Sequence, residues 1–267
     1  MTEGIQLTMA SPTTLYLFAG NSLTEGIYGE SYVERVAVAL HRGQTELAGQ
    51  ALNVGRSADT VQALLKRIDE PLREYQPQWV ILAVGGNDVW LPWLSSRSLG
   101  WWLWLQSRRV RFGQRPTTDL DQFAAAYRML IRKAREVRAD VLACTISPLG
   151  EQLSWPPNRQ LARLNGVIKR VADDAYVPVA DVWQAFVDEL ALIPNPSRYV
   201  PGEWVSAWLD RRRVQTRSPD ELSERRRLHL TWDGIHLNSR GADLWARTIL
   251  TALIQAQASA IVPNALP

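Results

Sequence analysis

Alternation of short apolar segments with helical patterns constrains the fold of this chain more than any other feature. The clearest apolar segment runs from Trp79 to Val84 and has no polar position. A strand is apolar throughout when helices cover both faces of its sheet, as they do in parallel sheets. The alternation therefore predicts an α/β fold in which a parallel sheet lies between two layers of helices.

Five strands and five helices are predicted from these patterns. The strands cover residues 15–19, 51–54, 79–84, 140–146 and 177–182. The helices cover residues 32–41, 59–75, 120–137, 159–172 and 239–256. We expect Asn238 or Ser239 to cap the last helix. The whole set predicts a three-layer α/β/α sandwich with a five-stranded parallel sheet.

The domain organisation follows from the chain's length and uniform composition. The 267 residues contain no repeat and no Pro/Gly/Ser-rich linker, so we expect one domain over residues 1–267. Two segments interrupt the strand and helix pattern and are predicted to be insertions. One is rich in tryptophan (about 89–118), and the other is rich in arginine and tryptophan (about 194–230). The single cysteine, Cys144, excludes an internal disulfide and is expected to lie buried in a strand.

Targeting and charge signals are weak. No basic segment followed by a long apolar core stands near the start, and no apolar run approaches the roughly 20 residues of a membrane span, so we expect a cytoplasmic protein. The net charge is +3 and acidic residues are interspersed almost everywhere, so no nucleic-acid partner is expected. The oligomeric state is left open.

Three residues, a serine, an aspartate and a histidine, have the side chains that activate a serine hydroxyl as a nucleophile. Ser22 follows the first predicted strand between Gly20 and Gly26, and Asp233 and His236 precede the last helix. Ligands of open parallel sheets bind beyond the carboxyl ends of the strands, which is where these residues fall. We predict that Ser22 attacks an acyl carbonyl, that His236 is its general base, and that Asp233 orients the imidazole.

Two further segments supply hydrogen-bond donors for the charge that develops on the attacked oxygen. Gly55 follows the second predicted strand, and Asn87 follows the third. A glycine brings its N–H close to a ligand without steric obstruction, and an asparagine offers its amide. The predicted oxyanion hole therefore consists of Ser22, Gly55 and Asn87.

This arrangement resembles the GDSL or SGNH hydrolase family, whose four sequence blocks contribute Ser, Gly, Asn and His. Ser22, Gly55, Asn87 and His236 match them, and Asp233 stands three residues before the histidine, as in the family. The resemblance covers residues 15–250 without the two insertions. It implies a flavodoxin-like five-stranded sheet and hydrolysis of small-molecule esters without a metal or other cofactor.

One departure from the family pattern concerns the residue beside the nucleophile. The usual Gly-Asp-Ser-Leu is Gly20-Asn21-Ser22-Leu23 here. Asparagine keeps the hydrogen-bonding capacity, so we expect a modest effect on activity. The prediction is a serine hydrolase that cleaves carboxylic esters, of esterase or lipase type. The alternatives are an O-acetyl deacetylase of carbohydrates and a non-catalytic module that binds lipid or nucleic acid.

The tryptophan-rich segment begins three residues after Asn87 and therefore emerges beside the predicted site. Three interpretations stay open: a lid or pocket wall, a transient contact of residues 90–115 with a membrane or micelle surface, and internal packing. Under the first, five tryptophans are candidate substrate-binding residues, namely Trp90, Trp93, Trp101, Trp102 and Trp104.

Overall fold

A computed structural model describes residues 14–41, 47–194, 197–202, 214 and 216–261. Its sheet has five parallel strands in the order β2-β1-β3-β4-β5. The strands are β1 (Leu15–Gly20), β2 (Gln50–Asn53), β3 (Trp79–Ala83), β4 (Asp140–Cys144) and β5 (Val179–Ala180). The predicted α/β class and the five-stranded parallel sheet are confirmed.

The helices lie on both faces of this sheet. Those of the first half are α1 (Ser22–Glu25), α2 (Tyr32–His41), α3 (Val61–Arg67), α4 (Asp69–Tyr75), α5 (Gly86–Ser95) and α6 (Leu99–Phe112). Those of the second half are α7 (Leu120–Glu136), α8 (Pro156–Asp174), α9 (Val182–Ala191), α10 (Pro219–Arg226) and α11 (Ser239–Ile261).

Alternating side chains of the central strands build two cores. Leu17 and Val80 point into a cluster with α3, α7 and α8, whereas Phe18 and Ile81 point into a cluster with α2, α9 and α11. All four side chains are fully buried, which is the period-two alternation expected of strands. Burial on both faces explains why these strands are apolar at nearly every position.

The strand order reverses between β1 and β3. The chain passes from β1 outward to β2 and then returns to β3 on the other side of β1. Such a switch point opens a crevice at the carboxyl ends of the two strands, where α/β proteins bind their ligands. Ser22 follows β1 and Asn87 follows β3, so both lie at this crevice.

Two predicted elements differ from those observed. The helix expected over 59–75 is divided at Ile68, because Pro71 has no N–H to donate to the carbonyl of Arg67 four residues earlier. The last strand has two residues instead of six, because the chain turns directly into α9. The sequence signal for α9 was the four-residue spacing of its buried side chains, Val182, Phe186 and Leu190.

The predicted insertions are described in part. The first contains most of α5 and all of α6. Residues 203–213 of the second lie outside the described part of the chain, whereas α10 lies inside it. None of the described helices is long and apolar enough to cross a membrane. Cys144 is fully buried in β4, as expected.

Candidate active site

Ser22 is the first residue of α1, a single helical turn that directly follows β1. The sequence placed it in a loop, but Asn21 caps a helix there, and its Oδ1 accepts a hydrogen bond from the Leu23 N–H at 3.1 Å. Asn21 is only 4% exposed. Asparagine caps helices as well as aspartate does, and at this buried position it introduces no negative charge.

The loop after β2 is bound tightly to α1. The Glu25 carboxylate accepts hydrogen bonds from both the N–H and the hydroxyl of Ser57. A Cβ on Gly55 would lie 2.4 Å from the Glu25 nitrogen, so only glycine permits this approach. The position of Ser22 therefore depends on the loop between β2 and α3.

Asp233 and His236 belong to a compact turn before α11. One carboxylate oxygen of Asp233 accepts hydrogen bonds from the N–H groups of Ile235, at 2.9 Å, and His236, at 2.7 Å. Gly234 has a φ of 82°, in the left-handed region that such a turn requires. An antiparallel bridge between Thr231 and Leu237 closes the turn. Aspartate three residues before histidine thus shapes the backbone as well as contacting the ring.

A chain of hydrogen bonds joins the three side chains. The second carboxylate oxygen of Asp233 is 2.7 Å from His236 Nδ1, and His236 Nε2 is 3.2 Å from Ser22 Oγ. Burial by itself raises the pKa of Asp233, but the charge and hydrogen bonds of His236 and the N–H of Ile235 outweigh it and hold the pKa below its ordinary value. The carboxyl is therefore ionised at neutral pH and fixes a proton on Nδ1, which leaves Nε2 free to accept one.

Two aromatic residues flank the imidazole. The ring centroids of Tyr28 and Trp232 lie 5.3 Å and 6.4 Å from that of His236. The Trp232 indole donates to the Tyr28 carbonyl oxygen at 2.5 Å. These contacts restrict rotation of the ring and fix the direction in which Nε2 points.

The candidate oxyanion donors differ in their availability. Asn87 Nδ2 donates to the Asp59 carbonyl oxygen at 2.8 Å, and the amide has a second hydrogen to offer. The Gly55 N–H already donates to Asn53 Oδ1 at 2.9 Å. Ala58 has a left-handed backbone (φ 63°), and its N–H has no acceptor among the described residues. Sequence reasoning missed Ala58, because nothing predicts a left-handed alanine.

Sequence reasoning also missed Glu151, which holds the segment leading to the Asp233 turn. Its side chain is 4% exposed and accepts four hydrogen bonds. The donors are the His229 N–H at 2.6 Å, the Leu230 N–H at 2.7 Å, and the N–H and hydroxyl of Thr231, both at 2.8 Å. Glu151 and this segment are about 80 residues apart in sequence, so no local pattern marks the contact.

We expect Glu151→Gln to lower both stability and activity. A glutamine amide must place N–H groups against one of the backbone donors, and the lost charge-assisted bonds should cost about 2 to 4 kcal/mol. Urea unfolding measures the first effect, and kcat for p-nitrophenyl acetate measures the second. Glu224→Gln, at an exposed position of α10, is the matched control. Equal stability of the two variants would contradict the role given to Glu151.

A small pocket opens beside Ser22. Its volume is about 20 Å³, little more than the 10–15 Å³ that one water molecule needs. Its walls include the side chains of Asn87, Trp90, Ile146, Leu149 and Ile235. The pocket lies on the β3 and β4 side of Ser22, because these wall residues follow β3 or β4 or belong to the Asp233 turn.

Of the five candidate tryptophans, only Trp90 lines this pocket. Trp93 packs between Trp90 and Trp155, with ring centroids 5.1 Å and 4.6 Å away. Trp101 donates to the Gly202 carbonyl oxygen and meets the edge of Trp104, whereas Trp102 is 47% exposed. The segment thus combines a pocket wall with internal packing.

Comparison with known proteins identifies the family. The model of the GDSL-like lipase/acylhydrolase family matches residues 18–244. The chain belongs to this family. It is therefore a carboxylic ester hydrolase, and the predicted resemblance is confirmed.

Similar proteins include acetylated-carbohydrate esterases and one further α/β hydrolase. An acetylxylan esterase of Geobacillus stearothermophilus is 24% identical over 186 residues, which cover 65% of this chain and 78% of that protein. The structure of a mutant of Axe2, an acetyl-xylooligosaccharide esterase of that species, aligns with a TM-score of 0.61 at 21% identity and covers 92% of this chain and 96% of Axe2. LAE5, an alpha/beta hydrolase from the metagenome of Lake Arreo, aligns with a TM-score of 0.59 at 20% identity, over 91% and 96% of the two chains.

Proposed function

We propose that this family member removes acetyl groups from carbohydrate hydroxyls through an acyl-enzyme on Ser22. The observation that carries the proposal is the pocket of about 20 Å³ beside the Ser22 hydroxyl, itself hydrogen-bonded to His236. This volume suits the methyl group of an acetyl ester better than a longer acyl chain.

The proposed reaction has two steps. Ser22 Oγ attacks the carbonyl carbon while His236 Nε2 takes its proton, and the protonated imidazole then donates that proton to the leaving alcohol. Water attacks the acetyl-serine with His236 again as the base, which releases acetate and restores the hydroxyl. Asp233 stabilises the imidazolium in both steps.

The negative oxygen of the tetrahedral intermediate requires donors already in place. We assign this role to the N–H of Ser22 and the side-chain amide of Asn87. In place of Gly55, whose N–H is bonded to Asn53, we propose the N–H of Ala58 as the third donor. Ala58 precedes Asp59, whose carbonyl oxygen holds the Asn87 amide, so the two donors belong to neighbouring groups.

Two observations favour a carbohydrate as the alcohol. Trp90 presents a half-buried indole at the pocket and stacks on Trp93, and flat aromatic surfaces of this kind suit sugar rings. The acetylxylan esterase relatives support the same substrate class. The lipase alternative finds no support in the pocket, because a long acyl chain needs a larger cavity.

We expect kcat/KM for p-nitrophenyl esters to fall at least about tenfold from acetate to butyrate, because each added methylene must displace a pocket wall. Acetate release from a peracetylated xylose should accompany this preference. Equal rates on acetate and octanoate, without release of acetate from the sugar, would contradict the proposal.

Ile235→Ala tests the pocket directly. Removing this half-buried wall should raise the ratio of butyrate to acetate turnover. Ile193→Ala, at a half-buried position in the other core, should leave the ratio unchanged.

Contact of residues 90–115 with a membrane or micelle surface stays a prediction. Its support is a row of exposed apolar side chains on α6, formed by Leu99, Trp102, Leu103 and Val110. The cytoplasmic location likewise stays a prediction.

A further inference from the structure

The guanidinium groups of two arginines near the nucleophile both contact the same aromatic ring. The guanidinium of Arg108, in α6, lies 4.4 Å from the centroid of the Phe112 ring, and that of Arg56, in the loop after β2, lies 5.2 Å from the same centroid. Burial lowers the pKa of Arg108, and the positive charge of Arg56 lowers it further. Both side chains nonetheless remain cations at neutral pH, so two positive charges each lie within 5.2 Å of the same ring centroid.

Neither arginine forms a salt bridge with a carboxylate within the described part of the chain. Arg108 donates to Gln114 Oε1 at 2.6 Å and to the Ser57 carbonyl oxygen at 3.0 Å, both uncharged acceptors. The carboxylates of Glu25 and Asp59 act electrostatically on Arg108, and that of Asp59 also acts on Arg56, but both carboxylates have closer partners. Glu25 accepts from Ser57, and Asp59 pairs with Arg67 at 2.6 Å.

The pair lies on the opposite side of Ser22 from the acetyl pocket. The Arg56 N–H donates to the carbonyl oxygen of Gly20, two residues before the nucleophile, and Arg108 is anchored on Ser57 in the β2 loop. The pocket lies toward β3 and β4, and β2 and β3 flank β1 on opposite sides. An ester whose acetyl group enters the pocket therefore directs its alcohol toward the β2 loop.

Tyr28 lies beside the catalytic histidine. Its ring centroid is 5.3 Å from that of His236, and it is among the groups that raise the pKa of Arg108. His236 is the group that protonates the leaving alcohol, so Tyr28 lies where the alcohol departs.

We propose that Arg56 and Arg108 bind a carboxylate on the alcohol part of the ester, so that the preferred substrates are acetyl esters of acidic alcohols such as uronic-acid-containing saccharides. This inference rests on the proposed acetyl-ester hydrolysis. Arginine pairs suit planar carboxylates, because each guanidinium offers several N–H donors in one plane. Arg108 is already oriented by its two hydrogen bonds, which reduces the cost of ordering it on binding.

The test compares two acetyl esters of similar shape, 4-acetoxybenzoate and 4-acetoxybenzamide, which differ by one negative charge. For each ester, kcat/KM is divided by the rate constant for its hydrolysis by hydroxide. We expect the ratio of this value for the benzoate to that for the benzamide to exceed 1 in the wild type. The ratio should fall at least about fivefold in Arg56→Gln and in Arg108→Gln, and in 0.5 M NaCl. Arg108→Lys should retain part of the preference.

Arg111→Gln is the matched control, because Arg111 is an exposed arginine of the same helix. Arg56 is exposed, so Arg56→Gln remains decisive even where Arg108→Gln disturbs the packing of α6. If the ratio of benzoate to benzamide turnover is the same in wild type, Arg56→Gln and Arg111→Gln, the carboxylate site is overturned. The proposed ester hydrolysis is not affected by that result. No turnover of either ester by the wild type would instead overturn the proposed function.

Discussion

Ser22→Ala is expected to reduce kcat for p-nitrophenyl acetate by about 10⁶-fold, the loss typical of removing a serine nucleophile. The variant retains the donors and the pocket but has no oxygen to form the acyl-enzyme. Ser22 is held by the Asn21 cap through the backbone, and its hydroxyl bonds only to His236 among the described residues, so the fold should persist. A burst of p-nitrophenol equal to the enzyme concentration should appear in wild type alone.

The control for this variant is Ser107→Ala, on the exposed surface of α6. It should retain full activity, and both variants should melt within a few degrees of wild type. Turnover by Ser22→Ala above about 1% of wild type would show that another group is the nucleophile.

Asp233→Asn should lower kcat by about 10⁴-fold with little change in KM. The asparagine amide would donate to His236 Nδ1, which forces the proton onto Nε2. A protonated Nε2 cannot accept the Ser22 hydroxyl proton, although the distance of 3.2 Å is retained. Single-turnover kinetics should show that acylation has slowed, rather than substrate binding.

The same substitution should alter the dependence of stability on pH. The pKa of Asp233 is lower in the folded chain than its ordinary value, so the carboxylate stabilises the fold above about pH 4 and this contribution is lost as the pH falls through the folded pKa. Asp233→Asn lacks this dependence. Urea unfolding from pH 3 to pH 7 should therefore give a smaller difference between wild type and variant at the acid end. A constant difference would contradict the ionised state assigned to Asp233.

The parts of this protein that follow from local pattern could be predicted from its sequence. The strands β1 and β3 are apolar because helices cover both their faces, and the serine and the Asp233 turn follow from residue types that acyl transfer requires. Placing these residues at strand ends was sufficient to expect them at one edge of the sheet, and the structure brings Ser22, Asp233 and His236 within hydrogen-bonding distance.

Contacts between distant segments could not be predicted in this way. Glu151 accepts hydrogen bonds from residues about 80 positions away, and Arg108 bonds to Ser57, 51 positions away. Nothing in the neighbourhood of either residue indicates its partner. The same holds for the candidate oxyanion donors. A glycine in the sequence indicates conformational freedom, but it does not indicate whether its N–H already donates a hydrogen bond, as the Gly55 N–H does to Asn53.

The hydrogen bond between Ser22 and His236 joins residues 214 positions apart. On the ribosome, at about 5 to 20 residues per second, the proposed nucleophile is therefore synthesised roughly 10 to 40 s before its proposed base. During that interval the strands that pair with β1, namely β2 and β3, are synthesised. The histidine that would activate Ser22 is not yet present. In the proposed mechanism the nascent chain is therefore inactive until the Asp233 turn has been synthesised, and the onset of ester cleavage in a translation mixture would mark that moment.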